Sequence, residues 1–298
     1  MNKITIVIPY FKLDFFEATL LSLSAQDNDQ FSVFIGNDNS PQDPSSLIRK
    51  FESKLDLKYF CFTDNLGGTS LVDHWKRCLK YVDTDWFMIL GDDDMLSPNA
   101  ISEFYSNLEN KLVSKVFRFS TQIIDEFENR SKIHSYSDSL VSSEFIYKKT
   151  KNEVRSSLSE YIFQTSDFKN FGIKSYPKAF YSDDMMVLLY SNFGKITNIS
   201  NATAFIRITN KSLSGNTENK KSIELAGFQF YFELVVRYSS YFNVQQLSLF
   251  LNKIMKGVLQ KKIKLSVYEF FLLCIKKIGF WRTLRKIITY VKLYFVMK

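Results

Sequence analysis

Three adjacent carboxylates are the residues in this sequence that are best suited to chemistry. Asp92, Asp93 and Asp94 follow Gly91, which ends the apolar run 86–90. Adjacent negative charges repel one another, so packing alone gives no reason to place them together. Magnesium and manganese prefer hard oxygen ligands, often one or two carboxylates completed by substrate phosphates. The pattern therefore favours a divalent-cation site at a strand end, where open α/β sheets bind ligands.

The same residues also permit a purely structural interpretation. Asp94 or Ser97 is able to cap a helix that starts near Pro98, and the acids would then form a polar turn. The segments around the cluster decide how much weight each interpretation carries.

Strands and helices alternate over the first third of the chain. Strands are predicted at 4–9, 31–36, 57–62 and 86–90, with helices between them at 14–25, 45–54 and 70–81. This alternation indicates βαβ units and a parallel sheet. Right-handed crossovers then bring Asp38, the segment 65–68 and the carboxylate cluster to one sheet edge. That convergence favours the ligand site over the polar turn.

The middle of the chain is patterned less clearly. A strand is predicted at 114–124, a poorly patterned polar stretch at 125–152 and a helix at 153–163. An apolar helix follows at 185–193, with one or two strands at 196–208. From about residue 222 onward the sequence predicts helices.

Composition excludes several classes of protein. The 298 residues are 45% apolar and 23% charged, which is ordinary for a globular chain that buries a sizeable core. Cys61, Cys78 and Cys274 form no zinc or CxxC spacing, and two histidines exclude a His-rich metal centre. No stretch approaches the roughly 20 apolar residues of a membrane span, and 4–8 is too short for a signal peptide. We expect a cytoplasmic protein with reduced thiols.

The C-terminal 46 residues are strongly basic. Residues 253–298 hold twelve Lys or Arg against a single acid, Glu269. At 280–297 an apolar face that includes Trp281 and Leu284 lies opposite Arg282 and Arg285. This predicts an interfacial helix on an anionic membrane surface, at the inner face of the cell membrane. The alternative is a helix packed on the protein with its basic face solvated. No motif supports a nucleic-acid partner.

Four motifs together carry a family resemblance. They are Val7-Ile8-Pro9-Tyr10, Asn37-Asp38-Asn39-Ser40, Asn65-Leu66-Gly67-Gly68, and Asp92-Asp93-Asp94 with Pro98. In this order they resemble glycosyltransferase family 2, the inverting GT-A nucleotide-sugar transferases. The resemblance is good over 1–125 and looser over 165–215. It implies a Rossmann-like α/β fold over 1–220, with a mostly parallel sheet flanked by helices and a helical, basic extension over 221–298.

The resemblance also implies roles for individual residues. It places the nucleotide against Pro9, Tyr10, Asp38, Asn65, Gly67 and Asp92. Within this set Asp38 would hydrogen-bond the base and Asp92 would lie near the ribose. Asp93 and Asp94 would hold manganese or magnesium on the diphosphate of the donor, which is expected to be a UDP-sugar.

Three positions depart from the family pattern. Asn37 replaces the first acid of an Asp-Asp-x-Ser loop, and Gly91 stands where many members have an aspartate. Thr209 occupies a place where some members carry a histidine that helps to bind the metal. The assignment of ligands within 92–94 is therefore open by one residue.

An inverting transfer needs a carboxylate that takes the proton of the acceptor hydroxyl. Asp183 and Asp184 resemble the Glu-Asp pair that supplies this base in the family, and Asp184 is the first choice. The alternative is a helix cap beside a first-turn acid.

Together these features predict a metal-dependent transferase that moves a sugar to a glycan or lipid-linked acceptor, in bacterial cell-surface polysaccharide synthesis. One rival is a nucleotidyltransferase, which would release pyrophosphate. A second is a binding module at the membrane surface that has kept the fold and lost turnover.

Overall fold

A computed structural model describes residues 4–110, 114–136, 139–210, 212–213, 215–259 and 267–286. The chain forms two compact units, residues 1–219 and residues 220–298. The division falls close to the boundary drawn from the sequence. That each unit is a functional domain stays a prediction.

A mixed β-sheet forms the centre of the first unit. Its described strands are β1 (Ile4–Tyr10), β2 (Phe31–Asn37), β3 (Leu57–Cys61), β4 (Trp86–Ile89), β5 (Met95–Leu96), β6 (Val116–Ile124), β7 (Arg130–His134), β8 (Ser139–Val141), β9 (Tyr161–Gln164) and β10 (Lys195–Arg207). The order across the sheet is β3-β2-β1-β4-β9-β6-β10-β5, with β7 paired to β6 and β8 paired to β10. Strands β1, β2, β3, β4, β6 and β10 run in one direction, and the other four described strands run against them.

Helices cover the sheet of the first unit. They are α1 (Phe16–Ser24), α2 (Ser45–Arg49), α3 (Leu71–Leu79), α4 (Ala100–Asn110), α5 (Ser142–Thr150), α6 (Thr165–Phe171) and α7 (Ser182–Tyr190). Helix α1 buries Phe16, Leu20 and Leu23, which the helical period places on one face. These side chains share a core cluster with residues of α2, α4 and alternate positions of β1. The hydrophobic effect on this face holds the sheet and helices together.

The register of the sheet aligns the ends of three strands. Tyr10 pairs with Asn37, and Asn37 pairs with Cys61. The loops after β1, β2 and β3 therefore begin side by side at one edge.

The first four predicted strands and the helices between them are confirmed, although α2 is shorter than expected. The helix predicted at 153–163 is wrong. A single 3₁₀ turn, Leu158–Glu160, leads into β9, which pairs antiparallel with β4 and β6. Pairing on both sides buries Tyr161, Ile162 and Phe163, and this tertiary environment overrides the local pattern. The stretch predicted to lack pattern, 125–152, contains β7, β8 and α5.

The second unit is helical. It contains α8 (Lys220–Arg237), α9 (Val244–Leu259) and α10 (Val267–Ile278), and residues 280–286 are helical as well. Over the part of the chain that is described, no helix combines the length and apolar character needed to cross a bilayer. The rest of the predicted basic helix, 287–297, lies outside the described residues.

Candidate active site

Six parallel strands end at the same edge of the sheet. Four of them, β1 to β4, carry site residues predicted from the sequence, either at the strand end or in the loop that follows, and this edge is where such sheets bind ligands. The prediction that the loops carrying Asp38, residues 65–68 and residues 92–94 meet there is confirmed by the parallel pairing of β1 with β2 and β4, and of β2 with β3.

Asp94 is fixed within the loop that follows β4. Its Oδ1 accepts a hydrogen bond from the backbone N–H of Arg207, at the end of β10, over 2.8 Å. The side chain is buried, and burial raises the pKa of Asp94 to about 6, against hydrogen bonds from Ser159 and Arg207 that lower it. A carboxylate held in place in this way is a suitable ligand for a cation.

Two carboxylate oxygens converge opposite Gly91. A Cβ atom at this glycine would lie 2.9 Å from Asp94 Oδ2 and 3.0 Å from Asp93 Oδ1. Many family members have an aspartate where this chain has Gly91. In this chain an aspartate at position 91 would crowd the side chains of both Asp93 and Asp94. Burial, followed by the charges of Asp94 and Asp92, raises the pKa of Asp93 to about 8. Concentrated negative charge of this kind fits a divalent cation.

The protein supplies only part of a coordination shell. Among the described residues no group of three or more His, Cys, Asp or Glu side chains could hold a metal ion. Two carboxylates with substrate oxygens completing the shell is the arrangement that magnesium commonly adopts. Asp93 and Asp94 fit that arrangement.

Asp92 holds the loop that follows β1. Its Oδ2 accepts hydrogen bonds from the backbone N–H groups of Phe11 and Lys12, each over 2.7 Å. A small cavity beside it is lined by Lys12, Asp14, Phe15, Asp92, Asp93 and Thr209. Thr209 thus stands next to the carboxylate cluster, as the family pattern implied.

Asp38 shapes the loop that follows β3. Its carboxylate accepts hydrogen bonds from the backbone N–H groups of Leu66 and Gly67, over 3.0 and 2.8 Å, and forms an ion pair with Arg77 of α3. A Cβ at Gly67 would lie 2.5 Å from Asp38 Oδ2, so any larger residue would force this carboxylate to move. Asn65 closes the same turn, because its Oδ1 accepts from the N–H of Gly68 over 2.7 Å.

The remaining residues predicted at the nucleotide lie at the ends of β1 and β2. Tyr10 is fully buried against Phe16, and its hydroxyl donates to the carbonyl of Gln42 over 2.8 Å. Pro9 pairs with Gly36 in the register of the sheet. Asn37 donates from its Nδ2 to the hydroxyl of Tyr59 over 2.8 Å and is buried. The nucleotide contacts of Pro9, Tyr10, Asp38, Asn65, Gly67 and Asp92 stay predictions.

Asp183 and Asp184 occupy the first turn of α7. Both oxygens of buried Asp184 accept from Lys149 Nζ of α5, over 2.6 and 2.7 Å. Asp183 keeps partial exposure. Burial and the charge of Asp184 raise the pKa of Asp183 to about 7, although Lys149 acts against them. The two neighbouring acids therefore have different environments, a common arrangement where one of them transfers protons.

One short segment connects these acids with the cluster after β4. Ser159 Oγ accepts a hydrogen bond from the N–H of Gly91 over 3.0 Å, and the Ser159 hydroxyl also forms a hydrogen bond with the Asp94 carboxylate. The next residue, Glu160, is close enough for its charge to act on Asp183. Sequence reasoning missed Lys149, Ser159 and Arg207, because each lies outside any motif and is recruited only by the tertiary fold.

The sequence model of the family described as glycosyl transferase family 2 matches residues 5–185, more than half of the chain. The chain belongs to glycosyl transferase family 2. This confirms the resemblance drawn from the four motifs and the predicted class of enzyme.

One curated relative of this family 2 chain is the teichoic acid poly(glycerol phosphate) polymerase of Staphylococcus epidermidis. It is 27% identical over 128 residues, which cover 41% of this chain and 17% of the polymerase. The match thus spans under a fifth of the relative's length.

Solved structures share the fold at low sequence identity. S. aureus TarS 1–349 in complex with UDP-GlcNAc aligns with a TM-score of 0.67 at 16% identity, over 92% of this chain and 79% of TarS. GalNAc-T7 with UDP, GalNAc and Mn²⁺ aligns with a TM-score of 0.54 at 10% identity, over 87% and 58% of the two chains. The predicted α/β fold class is confirmed.

Proposed function

We propose that this family 2 protein is a metal-dependent, inverting glycosyltransferase that uses a nucleoside diphosphate sugar, with UDP as the expected nucleotide. The observation that carries the proposal is the convergence of Asp93 Oδ1 and Asp94 Oδ2 opposite Gly91, at the ligand-binding edge of the sheet. The related folds of TarS and GalNAc-T7 were solved with UDP-GlcNAc, and with UDP and Mn²⁺, respectively.

Asp93 and Asp94 would hold manganese or magnesium. When bound, the cation neutralises the negative charge that develops on the departing diphosphate. Asp94 contributes a fixed ligand position, because Arg207 and Ser159 hold its carboxylate. On the nucleotide side, Asp38 orders the turn that contains Asn65 and Gly67, and Asp92 orders the loop that follows Pro9 and Tyr10.

Asp183 is the better candidate for the general base. The acceptor hydroxyl attacks the anomeric carbon as the bond to the diphosphate breaks, and the proton passes to a carboxylate. Asp184, the first choice from sequence, has both oxygens engaged by Lys149, whereas Asp183 is partly exposed and has a pKa of about 7. In this proposal Asp184 is a positioning residue that orients the first turn of α7.

The acceptor is proposed to be a glycan or lipid-linked chain of a bacterial cell-surface polymer. The support is the partial match to a teichoic acid polymerase. Because such acceptors are assembled at the membrane, a means of membrane attachment would serve the reaction.

The second unit offers a surface for this attachment. Tyr268, Leu272 and Ile275 are exposed at helical spacing on α10, and Phe280 and Trp281 are 55% and 74% exposed after it. We call this set the apolar patch. Basic side chains lie among these residues, including Lys276, Arg282 and Arg285. Aromatic and basic residues together fit an anionic membrane surface, so we propose peripheral association at the inner face of the membrane.

Calorimetry of UDP binding tests the site directly. We expect wild-type protein to bind UDP more tightly with Mn²⁺ than without it. In Gly91→Ala the gain in UDP affinity that Mn²⁺ provides should fall about tenfold or more, because the new Cβ displaces both carboxylate oxygens. Uridine, which has no phosphates, serves as the control and should bind both proteins equally. Equal UDP affinity with and without metal would contradict the proposed cation site.

A further inference from the structure

Arg155 lies in the segment between α5 and the 3₁₀ turn at Leu158–Glu160, and its backbone is anchored to the core. Its carbonyl accepts a hydrogen bond from Arg118 Nη2 over 2.7 Å and one from the Tyr136 hydroxyl over 3.5 Å. Arg118 itself is fully buried and paired with Glu160. The position of residue 155 is therefore set by the fold.

The guanidinium of Arg155 is incompletely satisfied. Its Nη1 is buried and has no hydrogen-bond partner among the described residues. Three other arginines of this unit have carboxylate partners: Arg77 pairs with Asp38, Arg118 with Glu160 and Arg207 with Glu128. A buried cationic N–H without a partner is costly, and a bound anion would remove that cost.

Arg155 also lies beside the candidate active site. Ser159, four residues later, accepts a hydrogen bond from the N–H of Gly91 over 3.0 Å. The positive charge of Arg155 is close enough to act on the Asp94 carboxyl. A guanidinium with an unsatisfied N–H and within electrostatic reach of Asp94 is placed to meet an anion bound at this carboxylate.

We propose that Arg155 binds a phosphate group in this site. The planar guanidinium matches phosphate oxygens with paired N–H donors, and it retains its charge at any working pH. The phosphate belongs either to the diphosphate of the donor or to a phosphodiester of the acceptor chain. For the first source the inference rests on the proposed function, and Arg155 would stabilise the departing diphosphate.

Three probes separate these sources: UDP, pyrophosphate and glycerol 3-phosphate, the last measured in the presence of UDP. Each is titrated with Mn²⁺ into wild type, Arg155→Gln and Arg155→Lys. Arg49→Gln removes an exposed arginine of α2 and is the matched control. For a donor phosphate we expect Arg155→Gln to weaken UDP and pyrophosphate about tenfold or more, with partial recovery in Arg155→Lys and uridine unaffected. The control should bind all probes as wild type does.

Acceptor binding gives a different pattern. UDP and pyrophosphate affinities would be unchanged in Arg155→Gln, while glycerol 3-phosphate binding would be lost. Melting temperatures exclude a merely structural role, because removal of an unsatisfied donor should not lower them. If Arg155→Gln binds all probes as tightly as wild type, or only melts earlier, the inference is overturned. If wild type fails to bind UDP but binds pyrophosphate in an Arg155-dependent way, the proposed function fails and this inference survives.

Discussion

At the scale of single residues, the two acids of α7 show how environment divides a pair that looks equivalent in sequence. Lys149 engages both oxygens of Asp184, so the ion pair orients the helix turn. Among the described residues no ion pair engages Asp183 in this way, and burial and the charge of Asp184 raise its pKa. Conversion of either acid to its amide therefore has distinct consequences.

Asp183→Asn should reduce kcat by about 10²-fold or more, because the amide cannot take a proton, while UDP binding stays unchanged. Its melting temperature at pH 8 should not fall. The folded-state pKa of about 7 lies above the usual 3.8, so ionisation of Asp183 costs stability, and this cost accumulates as the pH rises from about 3.8 and is complete above about 7. Asp184→Asn should melt several degrees lower, because it leaves the ammonium of Lys149 without its carboxylate partner. Higher activity in Asp183→Asn than in Asp184→Asn would reverse the two assignments.

The pH profile of kcat/KM gives a second test of the base. We expect activity to rise with pH through about 7, as Asp183 loses its proton. The charged groups that act on it are Asp184, Lys149 and Glu160. Asp184→Asn removes the negative charge that raises this pKa and leaves the lysine that lowers it, so the rising limb should move to lower pH. If the rise of kcat/KM with pH stays at the same pH in Asp184→Asn, the ionisation that controls activity belongs to a group other than Asp183.

At the scale of elements, the turn after β3 depends on one carboxylate. Asp38 holds two backbone N–H groups and Arg77, and Gly67 packs directly on its oxygen. The neighbouring Gly68 is less confined, because the atom nearest to its Cβ would be Asn65 Oδ1 at 3.0 Å. These adjacent glycines form a matched pair.

Gly67→Ala should displace the turn and weaken uridine and UDP alike, about tenfold, since a Cβ 2.5 Å from Asp38 Oδ2 forces the carboxylate to move. Gly68→Ala should have a markedly smaller effect. Calorimetry with both ligands measures the difference. If both variants bind uridine as wild type does, the turn does not form the nucleotide side of the site.

The sequence was sufficient to predict elements whose side chains follow a local period. Strands β1, β2 and β4 are buried along almost their whole length, as their apolar runs predict, and helix α1 buries its apolar residues at helical spacing. Strand β9 was missed because its burial comes from β4 and β6 on either side, which are distant in sequence. The carboxylates of the site were predictable from adjacency and motif. Their partners Lys149, Ser159 and Arg207 were not, since only tertiary contacts bring them there.

At the scale of the whole molecule, the two units differ in charge and in exposed surface. The first unit contains the carboxylates Asp92, Asp93 and Asp94 at the edge of its sheet. The second unit contains the apolar patch among basic residues. Two different ligands are therefore expected, a nucleotide sugar and a membrane surface. Each is open to a separate experiment.

Vesicle sedimentation tests the membrane proposal. The full chain should bind vesicles that contain an anionic lipid and leave neutral vesicles free. Arg282→Ala should weaken binding about fivefold, because a basic residue near such a surface contributes about 1 kcal/mol. Trp281→Ser should weaken it further by removing an exposed apolar anchor. Phe127→Ser, which alters a 76% exposed aromatic of the first unit, is the control. Equal binding by all variants would show that the apolar patch is not the contact.

Release of nucleoside diphosphate from a panel of UDP-, GDP- and dTDP-sugars, with Mn²⁺ or Mg²⁺, tests the central claim most directly. We predict metal-dependent release from one donor, faster with acceptor present, and reduced about 10²-fold or more in Asp94→Ala and Asp93→Asn. Release of pyrophosphate instead would indicate a nucleotidyltransferase. The account would be contradicted if no donor bound or reacted with metal present, or if both variants matched wild type.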